Sequence, residues 1–261
     1  MIYNILIILF IIISISLLVY RKIIDSYDYS SITIHLFSYY ENKLNLEPIL
    51  NHFIDKCDLL VIYLNGYEND KPNLPKTSKI KVIYTKYRDD MSNYKSYNGY
   101  QLFISDKYIY PQYYVENMIN DINKYDKKYV VGYDGKLFKE NARTLEDVFV
   151  NYKVDIYVDQ DKEVHYLEHD LLGFYTKSFR ITSSDLRFQN MIGLWIALQG
   201  QLQKVPFICL KHSKDYILKM NYGKNMYEET PLHKITKTNK EYISKSVFSN
   251  ITFKIMNILP I

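Results

Sequence analysis

Apolar residues occur along this chain in runs whose period changes from segment to segment. The first twenty, MIYNILIILFIIISISLLVY, carry no charged residue. At 1.5 Å per helical residue, about 20 residues cross a ~30 Å hydrocarbon layer, so residues 1–22 are expected to form a single-pass transmembrane anchor. A cleaved signal peptide would carry basic residues before its apolar run and small residues after it. Here the basic pair Arg21 and Lys22 follows the run, which favours an uncleaved anchor. That pair places the following domain on the cytosolic side, with a lumenal domain as the alternative. Residues 23–31 read as a polar tether, and the lone sequon at Asn250 is too common a triplet to change the orientation.

Beyond the tether the pattern alternates between strand and helix. Residues 32–37 (ITIHLF) are apolar and β-branched, a buried strand. Residues 45–56 place Leu46, Ile49, Leu50, Phe53 and Ile54 on one helical face, with Pro48 suited to the first turn. Strands are expected at 58–64, closed by the turn pair Asn65-Gly66, and at 80–84, 100–104 and 128–133. A helix is expected from Pro111 to about Tyr125. The second half is less regular, with short strands near 154–158, 164–167 and 171–176, a helix over 186–203 and a strand over 205–210. Alternating strands and helices imply crossover units and a mainly parallel, Rossmann-like α/β sheet flanked by helices. Open sheets of that kind take ligands outside the carboxyl ends of their strands, so chemistry is expected in the loops after Phe37, Leu64, Ile104 and Val131.

Composition changes this picture little. The chain has 261 residues, 48% hydrophobic and 24% charged, globular values that exclude a disordered or fibrous protein. Its 28 tyrosines and its excess of lysine over arginine reflect AT-rich codons more than function. The formal charge of +4 is spread along the chain, so nucleic acid is not an expected partner. Two cysteines, Cys57 and Cys209, exclude a disulfide framework and an all-cysteine zinc site.

The order of segments is similar to that of GT-A-type, family 2-like glycosyltransferases, which use nucleotide sugars and occur in bacterial surface-polysaccharide clusters and large DNA viruses. The resemblance is carried by LNLEPILNHFIDKCDLLVIYLNGY (44–67), ISDKYIYPQYYVENMINDINKYDKKYVVGYDGKLFKE (104–140) and NMIGLWIALQGQLQKVPFICLKHSKDYI (190–217). It covers about 32–246 and leaves 247–261 as a tail that either packs back on the domain or lies on a membrane surface. It implies a GT-A-like domain, a nucleotide-sugar donor, and a glycan or protein acceptor. The donor side would comprise Ser105, Lys107, Asp134 and Gly135, and the acceptor side His169, Gly193 and Trp195. Catalytic carboxylates would come from Asp106, Glu168 and Asp170.

The chain departs from the family where charge matters. Paired acids after the fourth strand normally hold a divalent metal, which stabilises the leaving diphosphate as a Lewis acid. Here Ser105 and Lys107 flank a single acid, Asp106, so no metal is expected. Asp134-Gly135 replaces His-Gly, Glu168-His169-Asp170-Leu171 replaces a glycine-rich turn, and Ile192-Gly193-Leu194-Trp195 lacks the usual base. Two accounts fit. In one, Lys107 supplies the metal's charge, with a base from Asp106, Asp134, Glu168, His169 or Asp170. In the other, the domain is an inactive transferase-like binding or scaffold protein.

A third class arises from His165-Tyr166-Leu167-Glu168-His169, which matches the HxxEH pattern of one zinc-protease group. That chemistry needs both imidazoles on one helical face, and the neighbouring sequence reads as strand and turn. Plainer roles accompany each candidate. Asp106 suits a cap before the 111–125 helix, Asp134-Gly135 a turn, and Trp195 the apolar face of the late helix.

Overall fold

The computed structural model describes residues 30–85, 91–138, 149–182 and 192–220. The first strand, β1 (Ile32–Tyr39), is followed by helix α1 (Lys43–Phe53), β2 (Leu59–Asn65), β3 (Ile80–Thr85) and β4 (Tyr100–Ser105). After the two-residue β5 (Tyr108–Ile109) come helix α2 (Tyr114–Lys124), β6 (Val130–Gly132), β7 (Gly135–Phe138) and β8 (Phe149–Tyr152). The second half supplies β9 (Lys162–Val164), β10 (Tyr166–Leu167), β11 (Leu172–Tyr175), helix α3 (Ile192–Leu202), β12 (Phe207–Cys209) and β13 (Leu218–Lys219).

Eight strands form one sheet in the order β3-β2-β1-β4-β11-β6-β12-β9. The first four run parallel, as do β6 and β12, while β11 lies antiparallel between β4 and β6 and β9 antiparallel at the edge. The result is a mixed α/β fold, Rossmann-like in its parallel half. β1, β2 and β4 are covered on both faces, which is why their sequences are largely apolar and why their polar members, such as Thr33, His35 and Gln101, are buried as well. Ile34, Leu36, Leu60, Ile62, Leu102 and Ile104 share one core with apolar residues of α1 and α2. On the other face Phe37, Tyr63 and Phe103 share a core with Met91, Tyr94 and residues Ile192, Trp195 and Ile196 of α3.

Several boundaries differ from expectation. The helix expected at 45–56 begins at Lys43 and ends in a 3-10 turn over Ile54–Lys56. Pro48 therefore lies in its second turn, on the exposed side, where water can serve the carbonyl that Pro cannot. Instead of a strand near 154–158, β8 ends at Tyr152 and a turn follows, with a single bridge between Val158 and His212. Gly66 takes φ +78° and forms the expected turn after β2. The late helix is described from Ile192, and residues 186–191 lie outside the described residues.

The membrane-spanning expectation is corrected as far as the described residues go: none of their helices is long and apolar enough to cross a membrane. The anchor expected over 1–22, most of the tether, and everything after residue 220, including the tail from 247, lie outside the described residues.

Candidate functional site

The carboxyl ends of β1 and β4 meet in a hydrogen-bonded turn. At its centre is Asp106, fully buried. Its Oδ2 accepts the Tyr39 backbone N–H (2.9 Å) and its Oδ1 the Asn42 side-chain amide (3.0 Å). The Asp106 carbonyl accepts from the Asn45 amide at 2.8 Å. Burial pushes this carboxyl up to about 6, against the opposing pull of Asn42 and the Tyr39 N–H. Asp106 thus ties α1's entry to the end of β4, neither an open catalytic base nor the expected cap of the 111–125 helix, whose N-cap is Tyr113. Ser105 is likewise buried, its backbone N–H and C=O both bound by the Tyr110 hydroxyl (2.8 and 3.0 Å).

Lys107 points the other way. Its Nζ lies 3.1 Å from Asp170 Oδ2 and 4.8 Å from the centroid of the Tyr39 ring. A quarter of its side chain is exposed, whereas Asp170 is 5% exposed. Cation and ring attract through the ring's quadrupole, so Lys107 is held at the sheet edge rather than released to solvent.

A second ion pair stands beside the first. Lys136 Nζ donates to Glu168 Oε1 (2.5 Å), and the Tyr166 hydroxyl donates to Oε2 of the same carboxylate (2.9 Å). Burial lowers the Lys136 pKa, but the Glu168 carboxylate outweighs it and the net shift is upward. Asp134, at the end of β6, has its carboxyl raised well above the usual range, first by burial and then by the Glu168 and Asp170 charges, with Lys136 opposing. The Asp134 carbonyl accepts the Glu168 N–H at 2.8 Å, which fixes the two loops together.

Gly193 explains how α3 reaches this group. A Cβ there would come within 2.6 Å of Tyr166 Cζ, so only glycine lets the helix lie on the ring that steadies Glu168. Trp195, in contrast, is buried in the apolar core against this sheet face. Gly135 starts β7, where a Cβ would meet Cys209 Cβ at 2.8 Å and Val164 Cγ1 at 3.1 Å, and the His169 ring meets the Phe37 ring edge-on at 5.3 Å. The structure therefore gathers Lys107, Asp134, Glu168 and Asp170 and leaves Asp106, Ser105 and Trp195 in packing roles.

Neither metal reading fits these donors. Both Asp106 carboxylate oxygens are engaged by protein donors and a lysine follows it in the chain, an unsuitable set for a hard divalent cation. For the HxxEH pattern, His165 sits in a bend between β9 and β10 and His169 in a 3-10 turn, so the two imidazoles do not share a helical face. Among the described residues no group of three or more His, Cys, Asp or Glu could hold a metal ion.

Three participants escaped the sequence reading: Lys136, Tyr166 and Tyr39. Lys136 had a usable signal, because it lies two residues beyond Asp134 along an extended segment and so falls on the same side. Tyr166 and Tyr39 had none, being two tyrosines among 28. No protein-family model matches the chain, and no curated protein is a significant match to it.

Proposed function

We propose that this chain is a glycosyltransferase-like protein of GT-A type, which takes a nucleotide sugar at the carboxyl edge of its sheet and passes the sugar to a glycan or protein hydroxyl without a divalent metal. The observation that carries the reading is Lys107, a partly open cation held at the end of β4 between the Tyr39 ring and Asp170, at the edge where open α/β sheets take ligands. Transfer breaks the bond between the anomeric carbon and the diphosphate, and negative charge grows on the departing phosphate. A fixed ammonium stabilises that charge without having to reorganise. As the new glycosidic bond forms, the acceptor hydroxyl gives up its proton to a base. Asp134 suits that role, since its raised pKa lies nearer neutrality than an ordinary carboxylate's. Glu168, locked by Lys136 and Tyr166, supplies part of the field that raises it.

A second reading, an inactive binding or scaffold domain, is favoured by the internal pairing of the same charges: Lys107 with Asp170, and Lys136 with Glu168. Calorimetry of the full chain against UDP- and GDP-sugars, with and without Mn²⁺, tests both. The transferase reading expects binding that Mn²⁺ leaves unchanged and that weakens about tenfold or more in Lys107→Gln, the loss of a charged contact. It also expects sugar release to an acceptor or to water. Binding without turnover selects the second reading. Binding that requires Mn²⁺, or none to any nucleotide sugar, refutes the proposal.

A further inference from the structure

Away from the sheet edge, the face of β1 opposite α1 buries one imidazole. His35 is fully buried at the middle of the strand. Its Nε2 lies 2.9 Å from Gln101 Oε1 and its Nδ1 3.2 Å from the Tyr63 hydroxyl. The direction of these bonds follows from Gln101. Its amide nitrogen donates to two backbone carbonyls, of Tyr97 and Tyr100, each at 3.0 Å. Carbonyls only accept, so the Gln101 oxygen must face His35. The Nε2 of His35 therefore carries the proton, and Nδ1 accepts from Tyr63. Both ring nitrogens are satisfied only while the ring is neutral.

The same group fastens a segment that is neither helix nor strand. Residues 91–99 lie over this face, with Met91 and Tyr94 buried. The Tyr94 ring stands 5.1 Å from His35, and Tyr97 stands 6.2 Å away. Gln101 holds the Tyr97 carbonyl with one end and His35 with the other. Phe103 stacks on the imidazole at 4.7 Å.

We propose that His35 is an acid-sensitive lock, whose protonation frees residues 91–99 from the sheet. A proton taken from solvent goes to Nδ1, where it opposes the Tyr63 hydroxyl hydrogen. Tyr63 must then turn its own hydrogen into an aromatic surround. The groups facing the ring are Tyr63 from β2, Tyr94 and Tyr97 from the covering segment, and Gln101 and Phe103 from β4. Beside them, among the described residues, Lys81 of β3 donates from its Nζ to the Tyr97 hydroxyl at 3.1 Å. Among the described residues no carboxylate bonds to the ring, so a buried cation there is uncompensated, and admitting water by lifting 91–99 is the way to solvate it.

The ring's basicity agrees: burial lowers it from 6.5 to about 4, with Gln101 opposing. The sign is that of a group held neutral in the closed form, so closure is fully stable above the open-form value and weakens as pH falls below it. Linkage between those two values makes opening about tenfold more populated at about pH 5.5 than at about pH 7.5. This lock is independent of the transferase reading.

Hydrogen–deuterium exchange of the full chain, corrected for the intrinsic pH dependence of exchange, tests it, together with the His35 ring titration followed by NMR. Protection of 91–99 is expected to fall about tenfold over that pH range while peptides of α1 and α2 keep theirs, the fall setting in below the ordinary imidazole value of 6.5 and levelling off only where the closed ring itself titrates, near 4. In His35→Gln the fall is expected to vanish. Unchanged protection of 91–99, equal loss across all peptides, a ring titration midpoint at or above 6.5, or an undiminished fall in a folded His35→Gln would each overturn the lock. Should that variant not fold, the wild-type ring decides: a midpoint well below 6.5 together with the selective loss at 91–99 supports the lock, and a midpoint at 6.5 or above overturns it.

Discussion

Replacing Gly193 by alanine puts a methyl group where the Tyr166 ring now lies. The added carbon would meet Tyr166 Cζ and Cε2 at 2.6 and 2.7 Å, and the hydroxyl closer still, whereas carbon atoms in good contact stand about 3.5–4.0 Å apart. Either α3 lifts or the ring withdraws, and a withdrawn ring takes its hydroxyl from Glu168 Oε2. Overpacking of this kind costs about 1–3 kcal/mol, and a lost hydrogen bond to a charged acceptor about 1.5–3 kcal/mol. Alanine's better helix propensity returns at most about 1 kcal/mol, and less in a first turn. The net is about 3 kcal/mol, a fall in Tm of about 6–12 °C for a chain of this size. Thermal unfolding by circular dichroism of the wild type, Gly193→Ala, Tyr166→Phe and the double variant measures it. Tyr166→Phe removes the atom met first, so the double variant should be less destabilised than the sum of the singles by about 1 kcal/mol or more. A Gly193→Ala protein melting at or above the wild-type temperature, or strict additivity, would refute the assigned contact.

Three further substitutions probe the charges around the site. Asp106 has a folded pKa near 6 against 3.8 unperturbed, so its stabilising effect is complete below the lower value and is lost as pH rises through the upper one. Asp106→Asn cannot titrate, so its stability relative to wild type should improve by about 2 kcal/mol between about pH 4 and pH 7. Urea midpoints across that range read the difference, and a flat difference would show that Asp106 is not desolvated. Lys136→Met leaves Glu168 with Tyr166 alone, and should cost about 3 kcal/mol at neutral pH in denaturant unfolding. Adding Glu168→Gln should recover most of that loss, and a double variant no more stable than Lys136→Met would mean that the pair is not electrostatically linked.

The chain's sequence by itself determined the parallel half of the sheet. β1, β2 and β4 are buried on both faces, so their residues are mostly Ile, Leu, Val and Phe, and such a run is readable without any partner. The same holds for the single apolar stripes of α1 and α2. It also pointed to the charged residues at strand ends, because Lys107, Asp134 and Glu168–Asp170 each follow or border an apolar run. Only the tertiary structure decided that β11 enters antiparallel between β4 and β6. That insertion brings the Glu168–Asp170 turn, which precedes β11, to Lys107 across 63 residues of chain. Nor could the sequence tell that Asp106 turns inward to Tyr39 and Asn42 while its neighbour Lys107 turns outward to Asp170. Which runs are apolar is a property of consecutive residues, and so is written locally; which carboxylate meets which cation depends on the packing of segments far apart in the chain, and no local pattern encodes it.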